Sequence, residues 1–245
     1  MKYVFILIVV LFFSHTLYSQ DTTHIFYNNE WKETKRKSKI EFHRKLYKSN
    51  ELWVAEDYYL NGNLQMIGSF EDKECDQRHG EFKYYYKNGL LDHKGEYKNN
   101  KKEGEWNWLF ENGKIAAYER YSNNEKIEMQ YWDENGIEVS DTEAEHIARF
   151  MGDTTDRTFY VYIASNIIYP IKLSLDGIEG KVMVSIVIEK DGTVTNAKII
   201  EPSHPLFNAE ALRVFRNSPK WDPAKQHNRC IRSIYNFPLI FKLSN

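Results

Sequence analysis

The chain has 245 residues, with 33 Lys and Arg against 35 Asp and Glu, so its formal net charge is −2. Interspersed charges of both signs argue against a surface built mainly to bind nucleic acid or anionic lipid. Two cysteines, Cys75 and Cys230, are too few for a disulfide framework. They fall in different predicted domains, and two interpretations stay open: free thiols, or a bridge between domains of an exported protein.

The first nineteen residues have the pattern of an export signal. Lys2 precedes an apolar run from Tyr3 to Phe13, and a small residue, Ser19, ends the polar stretch that follows. A membrane-spanning helix needs about 20 apolar residues, so this run is short for a span. We predict a signal peptide over residues 1–19, with an uncleaved inner-membrane anchor as the alternative. Either form places the protein in the periplasm or cell envelope.

Residues 20–52 form a basic segment. Between Trp31 and Lys48, lysines and arginines outnumber glutamates. A solvated lead-in or strand face just behind the export signal explains this charge, and contact with acidic lipid or glycan is the alternative.

Residues 53–138 contain a repeat. Asn-Gly pairs recur at 61–62, 88–89, 112–113 and 135–136, in steps of 27, 24 and 23 residues, and aromatic residues precede each pair. Asn-Gly is a two-residue hairpin signal, and a period of this length indicates stacked supersecondary units. Each unit is predicted to be two strands and two turns, with the aromatic side chains stacked along the sheet as its core.

This segment resembles MORN repeats, in the Tyr-x-x-Asn-Gly variant of bacterial exported proteins, from Tyr58 to Ile137. The resemblance implies an extended, one-sided sheet that suits binding to a protein or a surface. A rigid spacer that holds the C-terminal domain away from its tether is the alternative, and both interpretations stay open.

Residues 139–155 are predicted to form a linker helix. Ser140 and Glu143 fit a capping box, in which both side chains satisfy free amides of the first helical turn. Glu143, Glu145 and His146 cluster on this helix, and we interpret them as a solvated face.

Residues 156–245 predict a small α+β domain. Val182, Val184, Ile186 and Ile188 alternate with other residues, the period of a strand buried mainly on one face. Asp191-Gly192 is a hairpin signal, and a return strand follows it. This order is readable from the residues alone.

The same domain continues with a helix and a last strand. Phe207, Leu212 and Phe215 give a short helix one apolar side, and Pro219 prevents its continuation. Trp221, which lies between two prolines, is expected to anchor the core. A proline replacing Ile234 is expected to break the hydrogen bonds of the last strand.

Several motifs of this region follow one another in a recognisable order: Tyr169-Pro170, the run from Gly180 to Val194, Pro219-Lys-Trp-Asp-Pro223, and Phe237-Pro-Leu-Ile-Phe-Lys-Leu243. The succession resembles the C-terminal domain of TonB-type energy transducers, in the variant common in envelope proteins of the Bacteroidetes. Members of that family capture a periplasmic peptide of an outer-membrane transporter, which adds as a strand to an open sheet edge.

The resemblance implies a set of partner-binding residues. Asn166, Tyr169 and Pro170 would border the binding groove. The last strand would offer the edge, through Arg232, Ile234 and Asn236. For Tyr169 and Pro170 the alternative is a helix stop beside a core aromatic residue.

No motif in the sequence predicts catalysis, a metal or a cofactor. Cys75, His79 and His93 lack a fourth ligand and fall in a variable turn, and there is no phosphate-binding or dinucleotide-binding loop. We interpret the protein as a non-enzyme that takes no cofactor, no metal and no nucleic acid.

The predicted fold is mainly β plus α+β, an antiparallel repeat sheet of MORN-like hairpins followed by a small α+β TonB C-terminal-like domain. The leading hypothesis is a periplasmic adaptor that binds a protein partner, such as a TonB-dependent outer-membrane transporter. A membrane-anchored energy transducer, partnered with inner-membrane motor proteins, comes second, because all six prolines lie at or beyond Pro170 and the usual Pro-rich reach is missing. The third is a structural or surface-binding MORN-repeat protein.

Overall fold

The computed structural model describes residues 21–243. The predicted export signal, residues 1–19, lies outside them. No helix within the described part is long and apolar enough to cross a membrane. The described chain forms a ten-stranded sheet followed by a small α+β unit.

The large sheet is a meander in which every strand pairs antiparallel with the next. Its strands are β1 (Thr23–Tyr27), β2 (Phe42–Ser49), β3 (Leu52–Tyr59), β4 (Leu64–Phe70), β5 (Arg78–Tyr85), β6 (Leu91–Lys98), β7 (Lys101–Leu109), β8 (Ile115–Ser122), β9 (Glu125–Trp132) and β10 (Glu138–Val139). A 3-10 helix, Lys37–Lys39, lies between β1 and β2. Two strands of the sheet thus lie within the basic segment predicted as a lead-in. Leu46 of β2 is 2% exposed, so that segment contributes to the core as well as to the charged surface.

Aromatic side chains stack along one face of the sheet, as the repeat predicts. Phe82 and Trp106 are almost fully buried, each edge-on to the ring of Tyr97. Two glycines make room for them, because a Cβ on Gly68 would lie 2.2 Å from the Phe82 ring and one on Gly95 would lie 2.1 Å from the Trp106 ring. The large rings therefore rest directly on the backbone of the neighbouring strand.

The first edge of this sheet is partly covered. The chain after β1 folds back, so that Tyr27 bridges Glu33 and the Thr34 amide donates to the Phe26 carbonyl at 2.8 Å. Covering an edge in this way hinders pairing with another strand.

The C-terminal unit contains the remaining elements. They are α1 (Asp141–Ala144), β11 (Arg149–Phe150), α2 (Arg157–Asn166), α3 (Ile171–Leu175), β12 (Gly180–Ile188), β13 (Val194–Glu201), α4 (Pro205–Arg216), β14 (Trp221–Asp222), β15 (Lys225–Gln226), β16 (Arg229–Cys230) and β17 (Ser233–Phe241). Strands β13, β12 and β17 form a three-stranded antiparallel sheet in that order, and α4 packs against it. The predicted order of strand, strand, helix and strand is confirmed.

The predicted role of Trp221 is confirmed as well. The side chain is 5% exposed, and its ring packs against Phe150, Phe159 and Phe237 at centroid distances of 5.1–5.8 Å. Its backbone amide donates to the Gly192 carbonyl at 2.9 Å, which ties the core aromatic to the β12–β13 turn.

The predicted linker helix is shorter than expected. The capping box of Ser140 and Glu143 is present, but α1 ends at Ala144. The Ala144 carbonyl accepts the Asn228 amide at 3.0 Å, and the Glu145 carboxylate accepts the His227 amide at 3.1 Å. Contacts with a distant hairpin thus replace the next helical turn.

Both cysteines are free thiols in this structure. Burial raises the pKa of each, to about 11 for Cys75. Of the two interpretations left open by the sequence, the free thiols fit the structure.

Candidate protein-binding site

The three-stranded sheet of the C-terminal unit has two edges, β13 and β17, and they differ in how regularly they pair with β12. The β12–β13 pairing shifts register twice, and Asn196 of β13 adopts a left-handed φ of 49°. The β12–β17 pairing runs without a shift over nine residue pairs, from Gly180↔Phe241 to Ile188↔Ser233. Bulges blunt an edge against a further strand. Strand β17 is therefore the regular, flat edge.

The position of Pro238 indicates which backbone groups of β17 point to the free edge. In an antiparallel pair, successive residues point both backbone groups toward the partner strand or both away from it. Pro238 lies opposite Met183 and has no N–H, which a strand tolerates where the N–H would point outward. We infer that Ile234, Asn236 and Ile240, which lie at even spacing from Pro238, also point their backbone groups to the free edge.

The side chains of these same residues are open to solvent. Ile234 is 64% exposed and Ile240 is 67% exposed, and Asn236 is exposed between them. The alternate residues Leu239 and Phe241 are buried in the core. The edge thus combines unpaired backbone groups with apolar side chains, the features that strand addition uses.

A shallow groove of about 450 Å³ lies beside the first half of β17, on the face of the sheet opposite α4. Ser185 and Val187 of β12 are nearly buried within its lining. Lys198 and Arg232 line the groove as well, and Arg232 pairs with Glu189 at 3.2 Å. The surroundings of Ile234 are therefore mixed apolar and cationic.

Tyr169 and Pro170 lie at the other end of the strand. The Tyr169 ring contacts Phe207 and Phe241 at centroid distances of 5.5 and 6.0 Å, and its hydroxyl donates to the Ile178 carbonyl at 2.6 Å. Pro170 caps α3. These contacts match the alternative of a helix stop beside a core aromatic.

Asn166 is engaged locally. Its side-chain amide donates to the Tyr162 carbonyl at 2.8 Å, and its own carbonyl accepts the Arg213 guanidinium at 2.5 Å. Strand β17 separates the Phe241 end from Ile234 by about 23 Å at 3.3 Å per residue. The predicted residues thus do not form one cluster: Tyr169 and Pro170 lie at one end of β17, Arg232, Ile234 and Asn236 lie at its other half, and Asn166 contacts α2 and α4.

Residues 165–243 match the family model described as the Gram-negative bacterial TonB protein C-terminal. Residues 165–243 of the C-terminal unit form a TonB-type domain. An NMR solution structure of the Helicobacter pylori TonB C-terminal domain is 25% identical, and its match covers 38% of this chain and 87% of that chain with a TM-score of 0.30. Domains of this type belong to envelope proteins, and the family is non-enzymatic.

The repeat sheet has its own match. Residues 78–99 and 102–123 match the model of the MORN repeat variant, also a non-enzymatic family. These two units precede the TonB-type domain, in the order that the sequence motifs predict. A search of curated proteins gave no match.

The TonB-type domain meets the repeat sheet at a buried carboxylate. Glu119, on β8, is fully buried and accepts hydrogen bonds from four side chains. The donors are Tyr121 at 2.5 Å, Lys126 at 2.6 Å, Tyr131 at 2.9 Å and His227 at 2.9 Å. Burial acts to raise the pKa of Glu119, but the bonds from His227, Lys126 and Tyr121 outweigh it and lower the pKa to about 2. The carboxylate is thus held ionised.

This cluster contains side chains of the kinds that bind metal ions. Glu119, Glu145 and His227 each offer a ligand atom within 4.8 Å of the others. The Lys126 ammonium lies 2.6 Å from Glu119 and 3.4 Å from Glu145, so a cation already bridges the two carboxylates. The donor set fits an ion-pair network and does not fit a metal ion.

The other candidate ligands are not brought together. His79 pairs with Glu71 at 2.9 Å, while His93 stacks on Tyr84 with centroids 4.1 Å apart. Cys75 packs with the cluster of Leu46 and Phe70. Each of these three side chains therefore makes its contacts in a different part of the sheet.

Sequence reasoning missed the junction. The prediction of a solvated face is wrong for Glu145, whose carboxylate takes part in the buried network, and for His146, whose side chain is 6% exposed. One signal was available: Glu119 occupies an inward position of β8, between the buried Ala117 and Tyr121. A charged residue at such a position requires partners, but the sequence does not say that His227 supplies one from 108 residues away.

Proposed function

We propose that this protein is an exported envelope adaptor that binds a protein partner by strand addition to β17 of its TonB-type domain. The partner class is an extended periplasmic segment, such as that of a TonB-dependent outer-membrane transporter. The observation that carries the proposal is the contrast between the two edges of the sheet, since β17 is regular and exposes Ile234 and Ile240 while β13 is bulged.

Strand addition fits the chemistry of this edge. Backbone groups at Ile234 and Asn236 supply affinity without sequence preference, and the neighbouring side chains supply choice. Pro238 lacks a donor in the middle of the edge. A partner strand therefore gains its backbone bonds mainly beside the first half of β17, where Arg232 also lies.

A photo-crosslinking amino acid placed at Asn236 of the full chain tests the edge. The probes are synthetic peptides that cover the N-terminal periplasmic segments of TonB-dependent transporters from the source cell. We expect an adduct from Asn236 and none from the matched position Glu201, which is exposed on β13 and lies outside the groove lining. Equal labelling at both positions contradicts strand addition to β17.

The same experiment separates the alternatives. A third probe at Glu105, exposed on β7, reports on the repeat sheet. Adducts at Glu105 alone favour a surface-binding repeat protein over an adaptor that acts through β17.

Location is tested on the native protein. N-terminal sequencing and fractionation should give a chain that begins near Gln20 in the soluble periplasmic or outer fraction. An intact leader in the inner membrane contradicts a free adaptor and favours an anchored energy transducer, for which a pull-down of motor proteins is the next experiment.

A further inference from the structure

The hairpin formed by β15 and β16 is unusual because its tip is buried. His227 and Asn228 form its two-residue turn, and both have a φ of 53°. Positive φ at both positions is the geometry of a type I′ turn. Hairpin tips normally lie on the surface, whereas these two residues are 9% and 5% exposed. The repeat sheet covers them.

The turn residues bind the end of the repeat sheet. The His227 ring lies against the Trp108 ring, and the Asn228 side-chain amide donates to the Trp132 carbonyl at 2.6 Å. The Asn228 backbone amide donates to the Ala144 carbonyl at 3.0 Å. The tip of the hairpin is therefore held both by ring stacking and by hydrogen bonds to backbone carbonyls.

Arg229, the first residue after the turn, reaches further along the sheet. Its guanidinium donates to the Tyr86 hydroxyl at 3.0 Å and to the Leu109 carbonyl at 3.2 Å, and it forms an ion pair with Asp92. Tyr86 directly follows β5, Asp92 lies near the start of β6, and Leu109 is the last residue of β7. One side chain of the TonB-type domain thus binds two successive repeat units.

The hairpin leads directly into the candidate binding edge. Only Ile231 and Arg232 separate Cys230, at the end of β16, from Ser233, at the start of β17. The Ile231 amide donates to the Ala224 carbonyl at 2.8 Å, which leaves little slack in this connection. The connection from Cys230 to Ser233 is three Cα–Cα steps long and spans at most about 11 Å, so the docked hairpin limits where β17 can begin.

We propose that the repeat sheet positions the binding edge. The hairpin of residues 225–230, which docks on the repeat sheet, holds the first half of β17 in its register with β12, where it can receive a partner strand. The role of β17 as the binding edge rests on the function proposed above. We call this effect of the repeats on that edge the clamp. A repeat sheet that served only as a spacer, or only as a separate binding surface, would not need to hold β17 in place.

Amide hydrogen exchange of the full chain, without any partner, tests the clamp. Arg229→Ala removes the side chain that binds two repeat units. The matched control is Arg120→Ala, which removes an exposed arginine that pairs with Glu128 on β9 of the same sheet, where both side chains are about half exposed. We expect exchange of the bonded amides within residues 231–237, which are those of Ile231, Ser233, Tyr235 and Phe237, to accelerate by roughly ten-fold or more in Arg229→Ala. That factor is the equivalent of losing one charge-assisted hydrogen bond. The control should match the wild type.

Unchanged exchange in residues 231–237, together with faster exchange in residues 225–230, overturns the proposal, because the hairpin would then have loosened without affecting β17. If Arg229→Ala fails to fold, Asp92→Asn keeps the volume of the partner, removes its charge and replaces one acceptor oxygen with a donor. The same acceleration is expected for that variant, and its absence counts equally against the clamp.

The two proposals fail separately. Exchange measured without a partner reports on the clamp even if no peptide labels Asn236. If peptides do label Asn236, Arg229→Ala should reduce the adduct yield several-fold, and Arg120→Ala should leave it unchanged. Labelling of Asn236 that is equal in both variants overturns the clamp and leaves strand addition standing.

Discussion

His227 of the TonB-type domain stacks on Trp108 of the repeat sheet, with ring centroids 3.8 Å apart and ring planes inclined by 12°. The same imidazole forms a hydrogen bond of 2.9 Å with the buried Glu119. A flexible linker between independent modules has no need of such a contact. The repeat sheet and the TonB-type domain therefore share part of one interior, and their stabilities are expected to be linked.

Removal of the buried carboxylate should be costly. Glu119→Ala leaves Lys126 and two tyrosine hydroxyls without their acceptor, and breaking a buried charge network costs about 3–5 kcal/mol in the free energy of unfolding. Urea unfolding followed by circular dichroism measures the loss. The matched control is Glu128→Ala on the neighbouring strand, whose exposed pair with Arg120 should contribute less than about 1 kcal/mol. Equal losses in both variants contradict a structural role for the network.

The same carboxylate predicts a pH dependence. The pKa of Glu119 falls from an ordinary value of 4.5 to about 2 in the folded protein. Because the folded pKa is the lower one, the stabilisation is complete above about pH 4.5 and is lost as the pH falls toward 2. The difference in unfolding free energy between the wild type and Glu119→Gln should therefore shrink between pH 5 and pH 3. A difference that stays constant over this range excludes a titrating Glu119.

Two glycines with nearly the same φ should respond differently to alanine. Gly192 and Gly113 have φ values of 81° and 82°, but a Cβ on Gly192 would lie 2.0 Å from the Trp221 carbonyl oxygen, while one on Gly113 would meet nothing within 4 Å. Gly113→Ala should cost about 1 kcal/mol, from the left-handed conformation alone. Gly192→Ala adds a backbone clash and should cost about 1–3 kcal/mol more. Thermal and urea unfolding of both variants measure the difference, and equal costs show that the turn can move away from Trp221.

Proline substitutions test the inferred orientation of β17. The sequence alone predicts that Ile234→Pro breaks the hydrogen bonds of the strand, but Ile234 shares the inferred outward orientation of Pro238. We now expect Ile234→Pro to fold with a loss below about 1.5 kcal/mol and to weaken peptide capture, because it removes a donor from the free edge only. Tyr235→Pro removes a donor that faces β12 and should cost about 3 kcal/mol or more. Unfolding and cross-linking at Asn236 measure both effects, and the reverse order of stabilities contradicts the inferred orientation.

Much of the local structure could be predicted from the sequence because its signals are local. Asn-Gly pairs mark the positions of hairpins, although the turns are longer than the two residues predicted, since β3 ends at Tyr59 and β4 begins at Leu64. The alternation from Val182 to Ile188 predicts a strand, but Ser185 and Val187 are buried too, so the second half of that strand is buried on both faces. Ser140 and Glu143 mark the start of α1, which the structure confirms. In each case the deciding contacts join residues close together in the chain.

The extent of elements was harder to predict wherever distant contacts decide it. Strands β1 and β2 lie within a basic segment whose charge suggests a solvated lead-in, and burial of Leu46 on one face offsets the charges on the other. Helix α1 ends at Ala144, because that carbonyl binds Asn228 instead of the next helical amide. The contacts that stabilise these strands and that end α1 come from residues far away in the chain.

The sequence by itself determined the two kinds of unit, their order, and the pattern of rings and turns in the repeat sheet, since periodicity and turn chemistry act over a few residues. Only the tertiary structure decided that Glu119 and His227 meet, that β17 is the regular edge, and that Tyr169 and Ile234 lie at opposite ends of that edge. Those relationships depend on how strands pair and units dock, and a buried charge such as Glu119 can show only that partners are required, never which ones the fold will supply.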